Sequence, residues 1–197
     1  MHKLMSSLAL AVSLFATGAL AADAGAQVGK AAPAFELKDE SGKVHRLADY
    51  KGKTVVLEWT NPECPFVKRH YQAKTMAKTH KAFAGKDVIW LAIDSTAHNT
   101  PDKSAAWKKT EGFAYPVLQD ASGVTGKAYG AKTTPHMFVI DGEGIVRYAG
   151  GIDDDPRGKS KSPNNHVQAA LTAVLAKQAP ANQSTKPYGC SVKYKAD

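Results

Sequence analysis

Cysteine is scarce in this chain: its 197 residues hold only two, Cys64 and Cys190. So small a number excludes a scaffold stapled by many disulfides, and a chain of this length can bury a proper core without one. Long apolar runs are missing too. Beyond the N-terminus, no segment reaches the ~20 apolar residues that a membrane-spanning helix requires. Lysine and arginine outnumber aspartate and glutamate by 26 to 18, for a formal charge of +8, yet no basic run is interleaved with aromatics. Charge scattered in this way reads as an ordinary solvated basic surface, and no nucleic-acid partner is expected. An attraction to anionic partners or membrane surfaces stays open. There is no internal repeat and no sign of a second domain.

What is present begins with an export signal. Lys3 gives a positive start, Leu8 to Phe15 an apolar middle, and Ala19-Leu20-Ala21 a small-residue cleavage site. The expected organisation is a signal peptide over residues 1–21, one domain over 22–178, and an extended tail over 179–197 that carries Cys190. An uncleaved anchor is the competing reading of the first segment. Export implies an oxidising compartment in which disulfides persist, so a periplasmic or secreted location is expected.

Along the domain, Pro33–Leu37 and Val44–Leu47 flank Glu40-Ser41-Gly42-Lys43 as an N-terminal hairpin. Thr54–Trp59 and Val88–Ile93 are continuous apolar runs of strand length, the pattern of strands covered on both faces. Between them one helix is expected from Pro65 to about Phe83. Thr100 and Pro101 open a second helix that stops near Gly112. A short strand at Tyr115–Leu118 and a short helix at Val124–Tyr129 follow. His136–Ile140 and Ile145–Ala149 then flank Asp141-Gly142-Glu143-Gly144 as a hairpin, before a last helix from Asn165 to Lys177. Crossover helices require parallel early strands and the tight hairpin requires an antiparallel pair. The expected fold class is therefore α/β, with a mixed central sheet, helices on both faces and an N-terminal hairpin.

Cys64 holds the most informative position. The strand Thr54–Trp59 runs into the turn Thr60-Asn61-Pro62-Glu63, and Cys64-Pro65 opens the helix. The first N–H groups of a helix lack partners and carry partial positive charge, which favours the thiolate, the nucleophilic form of cysteine. Pro65 suits the first helical position because its missing N–H would have been unpaired. Lys68, Arg69 and His70 can add positive potential.

Three motifs in order carry a resemblance: Cys64-Pro65-Phe66-Val67-Lys68, Thr134-Pro135-His136, and Gly189-Cys190-Ser191-Val192-Lys193-Tyr194. With them the chain resembles the thioredoxin-like superfamily. Within it, the match is to the redoxin branch (alkyl hydroperoxide reductase and thiol-specific antioxidant proteins), and to its peroxiredoxin-like members with a C-terminal Gly-Cys tail. The resemblance implies a thioredoxin-like fold, with Cys64 the nucleophile and Cys190 a possible resolving cysteine. It further implies a substrate groove lined by Pro65, Phe66, Thr134 and Pro135, with Lys68 an electrostatic support and the Thr134–Pro135 bond cis. It implies thiol–disulfide oxidoreductase or weak thiol peroxidase activity on protein or small-molecule disulfides or on peroxides, an external thiol reductant, and no organic cofactor or metal. Two departures limit it. Val67 stands where a dithiol site has its second cysteine, and Asn61 stands where typical peroxiredoxins place a peroxide-binding Thr or Ser.

Several readings remain open at this level. Cys64 and Cys190 form either a reversible disulfide, with Cys190 on a mobile tail, or a permanent staple. His70 and His136 with the two cysteines would make a soft copper site, so a copper-handling metallochaperone is the alternative function. Asp153-Asp154-Asp155 reads as a solvated turn more readily than as a Ca²⁺ site.

Overall fold

The computed structural model describes residues 25–196; the expected signal peptide lies outside them. Strand β3 (Thr54–Trp59) sits at the middle of the molecule, with every residue buried. Its side chains alternate between two apolar clusters. Val56 packs on the side that also holds Cys64, while Val55, Leu57 and Trp59 pack on the other. Side chains of this size contribute roughly 1.5–3 kcal/mol each when fully buried.

Around β3 lie β1 (Glu36–Asp39), β2 (Val44–Arg46), β4 (Val88–Asp94), β5 (Val117–Gln119), β7 (His136–Ile140) and β8 (Val146–Gly150). The sheet runs β2-β1-β5-β4-β3-β7-β8. β3, β4 and β5 are parallel, while β7 pairs antiparallel with both β3 and β8. The N-terminal hairpin extends this sheet, because β1 also pairs antiparallel with β5. A separate two-stranded ribbon joins β6 (Thr133–Thr134) to β9 (Cys190–Ser191).

Helices α1 (Pro65–Gln72), α2 (Thr75–Ala82) and α5 (His166–Leu175) pack on the Cys64 side, where Trp107 of α3 (Pro101–Glu111) also docks. α4 (Val124–Tyr129), the N-terminal segment and a 3-10 turn at Leu47–Tyr50 cover the other face. The mixed sheet with helices on both faces is as expected. Capping follows the sequence: Thr100 Oγ1 accepts from Lys103 N, Asn165 Oδ1 accepts from Gln168 N, and Gly112 and Gly130 end their helices in the left-handed region.

One expectation fails. The single helix from Pro65 to Phe83 is two helices, broken at Lys74, whose φ of 58° is left-handed. Val67, His70 and Tyr71 face the core from α1. An unbroken helix would next turn Lys74 and Lys78 inward, since positions three and four apart share a face. The break rephases the chain so that Met76 and Thr79 face inward and both lysines stay exposed.

Candidate active site

The end of β3 positions the sulfur. Thr60 N donates to Ile93 O, carrying the β3–β4 pairing one step further. Asn61 Oδ1 then accepts from Glu63 N at 2.7 Å, and Cys64 N donates to Asn61 O at 3.0 Å. This turn delivers Cys64 to the N-cap of α1 with an extended backbone, φ −72° and ψ 124°. Pro65 takes the first helical position, and Lys68 N donates to Cys64 O at 2.9 Å. The Asn61 side chain is thus committed to shaping the turn.

Two further segments converge on the sulfur. The Thr134–Pro135 peptide bond is cis, as the resemblance implied, and the Thr134 carbonyl accepts from Cys64 Sγ at 3.1 Å. β9 lies antiparallel to β6, with Thr134 opposite Cys190, and Cys190 Sγ comes within 2.7 Å of Cys64 Sγ. Both cysteines are free thiols here. Gly189 is required at this crossing: a Cβ there would lie 2.1 Å from Thr134 O.

The two thiols differ electrostatically. Burial pushes the Cys64 thiol up, but Cys190, the Thr134 hydroxyl and the backbone N–H groups of Val67 and Cys190 outweigh it, and the net direction is down. Thr134 Oγ1 is buried with no hydrogen-bond partner at normal distance, so its proton is available to a developing thiolate. Cys190 is pushed up to about 11 by burial and by its bond to and charge repulsion from Cys64. Ionisation is thus favoured at Cys64 over Cys190.

The tail lies extended along the domain and is docked against it at several points. Residues Gln183 to Thr185 run along the β8 edge, hydrogen-bonded to Ala149. The Tyr188 ring packs beside Phe66 and under the Arg69 guanidinium, and its hydroxyl bonds Asp153 and lies 3.0 Å from His70 Nε2. Val192 N donates to Lys132 O and Ala97 N to Lys193 O. With the arm in place, Cys64 is only 2% exposed.

Of the other residues singled out from sequence, Phe66 is half-buried against the arm, Thr134 and Pro135 are buried, Pro65 is exposed and Lys68 lies exposed on α1. His70 is held by Tyr188 and flanked by Asp153, with its pKa lowered by burial, and His136 is pushed down to about 4 by burial. Among the described residues, no group of three or more His, Cys, Asp or Glu is placed to hold a metal ion, so the histidines and cysteines do not gather into the copper site considered above. Asp153 is occupied by Tyr188, and Asp155 caps its own turn through Lys159 N and Ser160 N.

Glu58, fully buried in β3, was not among the residues singled out from sequence. It accepts from Trp90 Nε1 at 2.9 Å and from Tyr71 Oη at 3.0 Å, and Tyr71 meets Tyr115 Oη at 3.0 Å. Burial, opposed by these hydrogen bonds, pushes the carboxyl up to about 7. A charged residue inside an otherwise apolar strand was its only signal.

The fold and the sulfur pair beside a cis-proline define a thioredoxin-like thiol protein of the redoxin class. The chain belongs to the AhpC/TSA family, which matches residues 28–149. It is 28% identical over 125 residues to the thioredoxin-like protein YneN of Bacillus subtilis, covering 64% of this chain and 72% of YneN. It is 30% identical over 120 residues to the thiol-disulfide oxidoreductase ResA of Geobacillus thermodenitrificans, covering 61% of this chain and 67% of ResA. A crystal structure of a hypothetical protein from Sinorhizobium meliloti superposes with a TM-score of 0.79 at 30% identity, covering 88% of this chain and 98% of that one. Relatedness to thiol-disulfide oxidoreductases and peroxiredoxin-like proteins makes this an oxidoreductase of the thiol type. No described helix is long and apolar enough to cross a membrane.

Proposed function

We propose that this is an exported thiol–disulfide oxidoreductase, periplasmic or secreted, in which Cys64 is the nucleophile and Cys190 the resolving cysteine. The observation that carries the reading is the asymmetric thiol pair: a thiolate-forming sulfur at a helix N-terminus, 2.7 Å from a second sulfur of raised pKa. Cys64 thiolate attacks one sulfur of a substrate disulfide, joins it, and expels the other half as a thiolate. Cys190 then loses its proton and attacks Cys64 Sγ, forming Cys64–Cys190 and releasing the second substrate thiolate. An external thiol reductant, oxidised to its own disulfide, restores both cysteines. With a peroxide, the Cys64 thiolate attacks one oxygen and becomes a sulfenic acid, while the other oxygen leaves as hydroxide or alkoxide and takes a proton from water. Cys190 then attacks the sulfenic sulfur, forming Cys64–Cys190 with loss of water. Pro65, Phe66, Thr134 and Pro135 line the approach, and Lys68 adds positive potential from the exposed face of α1. Export rests on the sequence of residues 1–21, and the unit that acts is residues 22–178 with its tail.

Alkylation with and without a mild dithiol, followed by peptide mass mapping, tests the pairing. A Cys64–Cys190 bond should form on oxidation and open on reduction. Turnover should vanish in Cys64→Ser, and Cys190→Ser should accumulate a mixed disulfide at Cys64. A Cys64–Cys190 bond that resists mild dithiol, or activity surviving in Cys64→Ser, would overturn the proposal.

A further inference from the structure

Gly126 lies inside α4 with an ordinary helical φ, so its backbone does not require glycine, and glycine there costs about 1 kcal/mol relative to alanine. What requires it is space. A Cβ at Gly126 would lie 2.5 Å from Tyr194 Oη and 2.8 Å from Ser95 Oγ, and one at Gly123 would lie 2.6 Å from Tyr194 Cδ1. The two glycines form a slot one ring wide, and Tyr194 fills it with its hydroxyl donating to Ala131 O at 2.8 Å.

The arm enters this slot as a strand. Cys190, Val192 and Tyr194 are half-buried while Ser191 and Lys193 are exposed, the period of two expected of an extended segment on a surface. Between Cys190 and Lys193 its hydrogen bonds to the domain's backbone, at Thr133, Thr134, Lys132 and Ala97, carry no information about side chains. Such contacts accept any extended polypeptide, and discrimination falls to the side-chain pockets. The pockets here are the sulfur of Cys64 at the cysteine, an apolar contact at the second residue after it, and the glycine slot at the fourth. With Cys190 of the arm lying 2.7 Å from Cys64 Sγ and Cys64 only 2% exposed, a protein disulfide would reach that sulfur by taking the arm's place.

We propose that Gly123 and Gly126 form an aromatic-selecting pocket, held in the resting protein by its own Tyr194. Protein substrates would be selected as extended cysteine segments with an aromatic residue four positions after the cysteine. The arm is then a tethered mimic of the substrate and competes with it. This inference rests on the oxidoreductase reading of Cys64.

The test uses full-length Cys190→Ser protein and two eight-residue peptides whose cysteine carries thionitrobenzoate in disulfide linkage. One has the sequence of residues 187–194, and the other has alanine in place of the final tyrosine. Cys64 thiolate attacks the peptide sulfur, and thionitrobenzoate leaves as a coloured thiolate with the bonding electron pair. The tyrosine peptide should react about tenfold faster, the scale of one well-seated aromatic contact. Adding Tyr194→Ala to the protein should accelerate both peptides severalfold, whereas Tyr194→Phe, which keeps the ring, should not. Equal rates for the two peptides, or no acceleration by Tyr194→Ala, would overturn the pocket. Reaction of Cys64 with the small disulfide dithiobis(nitrobenzoate) is the control. Failure there removes the oxidoreductase reading itself, while success without peptide discrimination removes only the pocket.

Discussion

Replacing Glu58 by glutamine should make the protein more stable near neutral pH and leave it almost unchanged in mild acid. The carboxyl is wholly buried between Trp90, Tyr71 and Tyr115, and its pKa is raised from 4.5 to about 7. The unfolded chain therefore ionises Glu58 before the folded protein does. Below pH 4.5 both states hold the proton and Glu58 contributes no pH dependence. Between 4.5 and about 7 the folded state binds more protons, so stability falls as pH rises through that window and then levels off. At about 1.4 kcal/mol for each tenfold change in proton affinity, the interval amounts to roughly 3 kcal/mol. Glutamine reproduces the protonated acid: its carbonyl accepts from Trp90 Nε1, and its amide donates to the Tyr71 oxygen, whose own proton turns to Tyr115. Urea unfolding of both proteins at constant ionic strength, from about pH 4 to about pH 8, measures the difference directly. The parent should lose roughly 3 kcal/mol relative to Glu58→Gln across that range. A constant difference between the two proteins at all pH values would refute the reasoning, because it would mean the buried carboxyl does not titrate in the window.

Three further outcomes follow from single contacts. Thr134→Val removes the unpartnered hydroxyl beside the sulfur and should move the pH midpoint of Cys64 alkylation upward, and an unchanged midpoint would remove that hydroxyl from the account. Lys74→Gly relieves a left-handed backbone at the α1–α2 break and should raise the urea midpoint by the equivalent of about 0.5–1 kcal/mol. A loss of stability there would mean that the Lys74 Nζ bond to Glu111 O outweighs the strain. Asn165→Ala deletes the α5 cap to Gln168 N and the bond to Thr79 Oγ1, and should cost about 1–2 kcal/mol in the same assay.

Local chemistry made most of the fold legible. β3 and α4 lie where apolar runs and glycine stops put them, and the Thr100 cap was readable because a side-chain oxygen at a helix start has one strong use. The α1–α2 break was readable in principle, from the lysines that an unbroken helix would bury, but no glycine or proline marks it. The site was half legible. Cys64 and Thr134–Pro135 belong to motifs, so their convergence could be expected. The docking of the arm could not, because Tyr188 and Tyr194 find partners on α1, on α4 and in the loop carrying Asp153, which are far apart in sequence. A Pro-, Ser- and Asn-rich stretch reads as loose when the surface it lies on is unknown. Glu58 was passed over for a related reason: a lone carboxylate in a strand is explained only by the Trp and Tyr donors that close around it.

The position of Val67 shows why the second sulfur arrives from so far away. On a helix that starts at Cys64, the residue three later turns toward the sheet, and Val67 is fully buried among Val56, Tyr71 and their neighbours. With that place given to packing, α1 offers the reactive sulfur no partner of its own, and the partner must be carried in on β9. The sulfur pair therefore exists only while β9 lies on β6, and the arm is held there at Tyr188, at the ribbon and at Tyr194. In a dithiol built within one helix, sulfur chemistry is independent of the C-terminus. On the proposed pairing of Cys64 with Cys190, the disulfide, access to Cys64 and the docking of residues 188–194 are one equilibrium. On that proposal, reduction would remove the covalent hold on the arm and leave its ribbon pairing and side-chain anchors, so the oxidised arm would be shut and the reduced one open to competition. The reduced protein would then be the form able to accept a polypeptide.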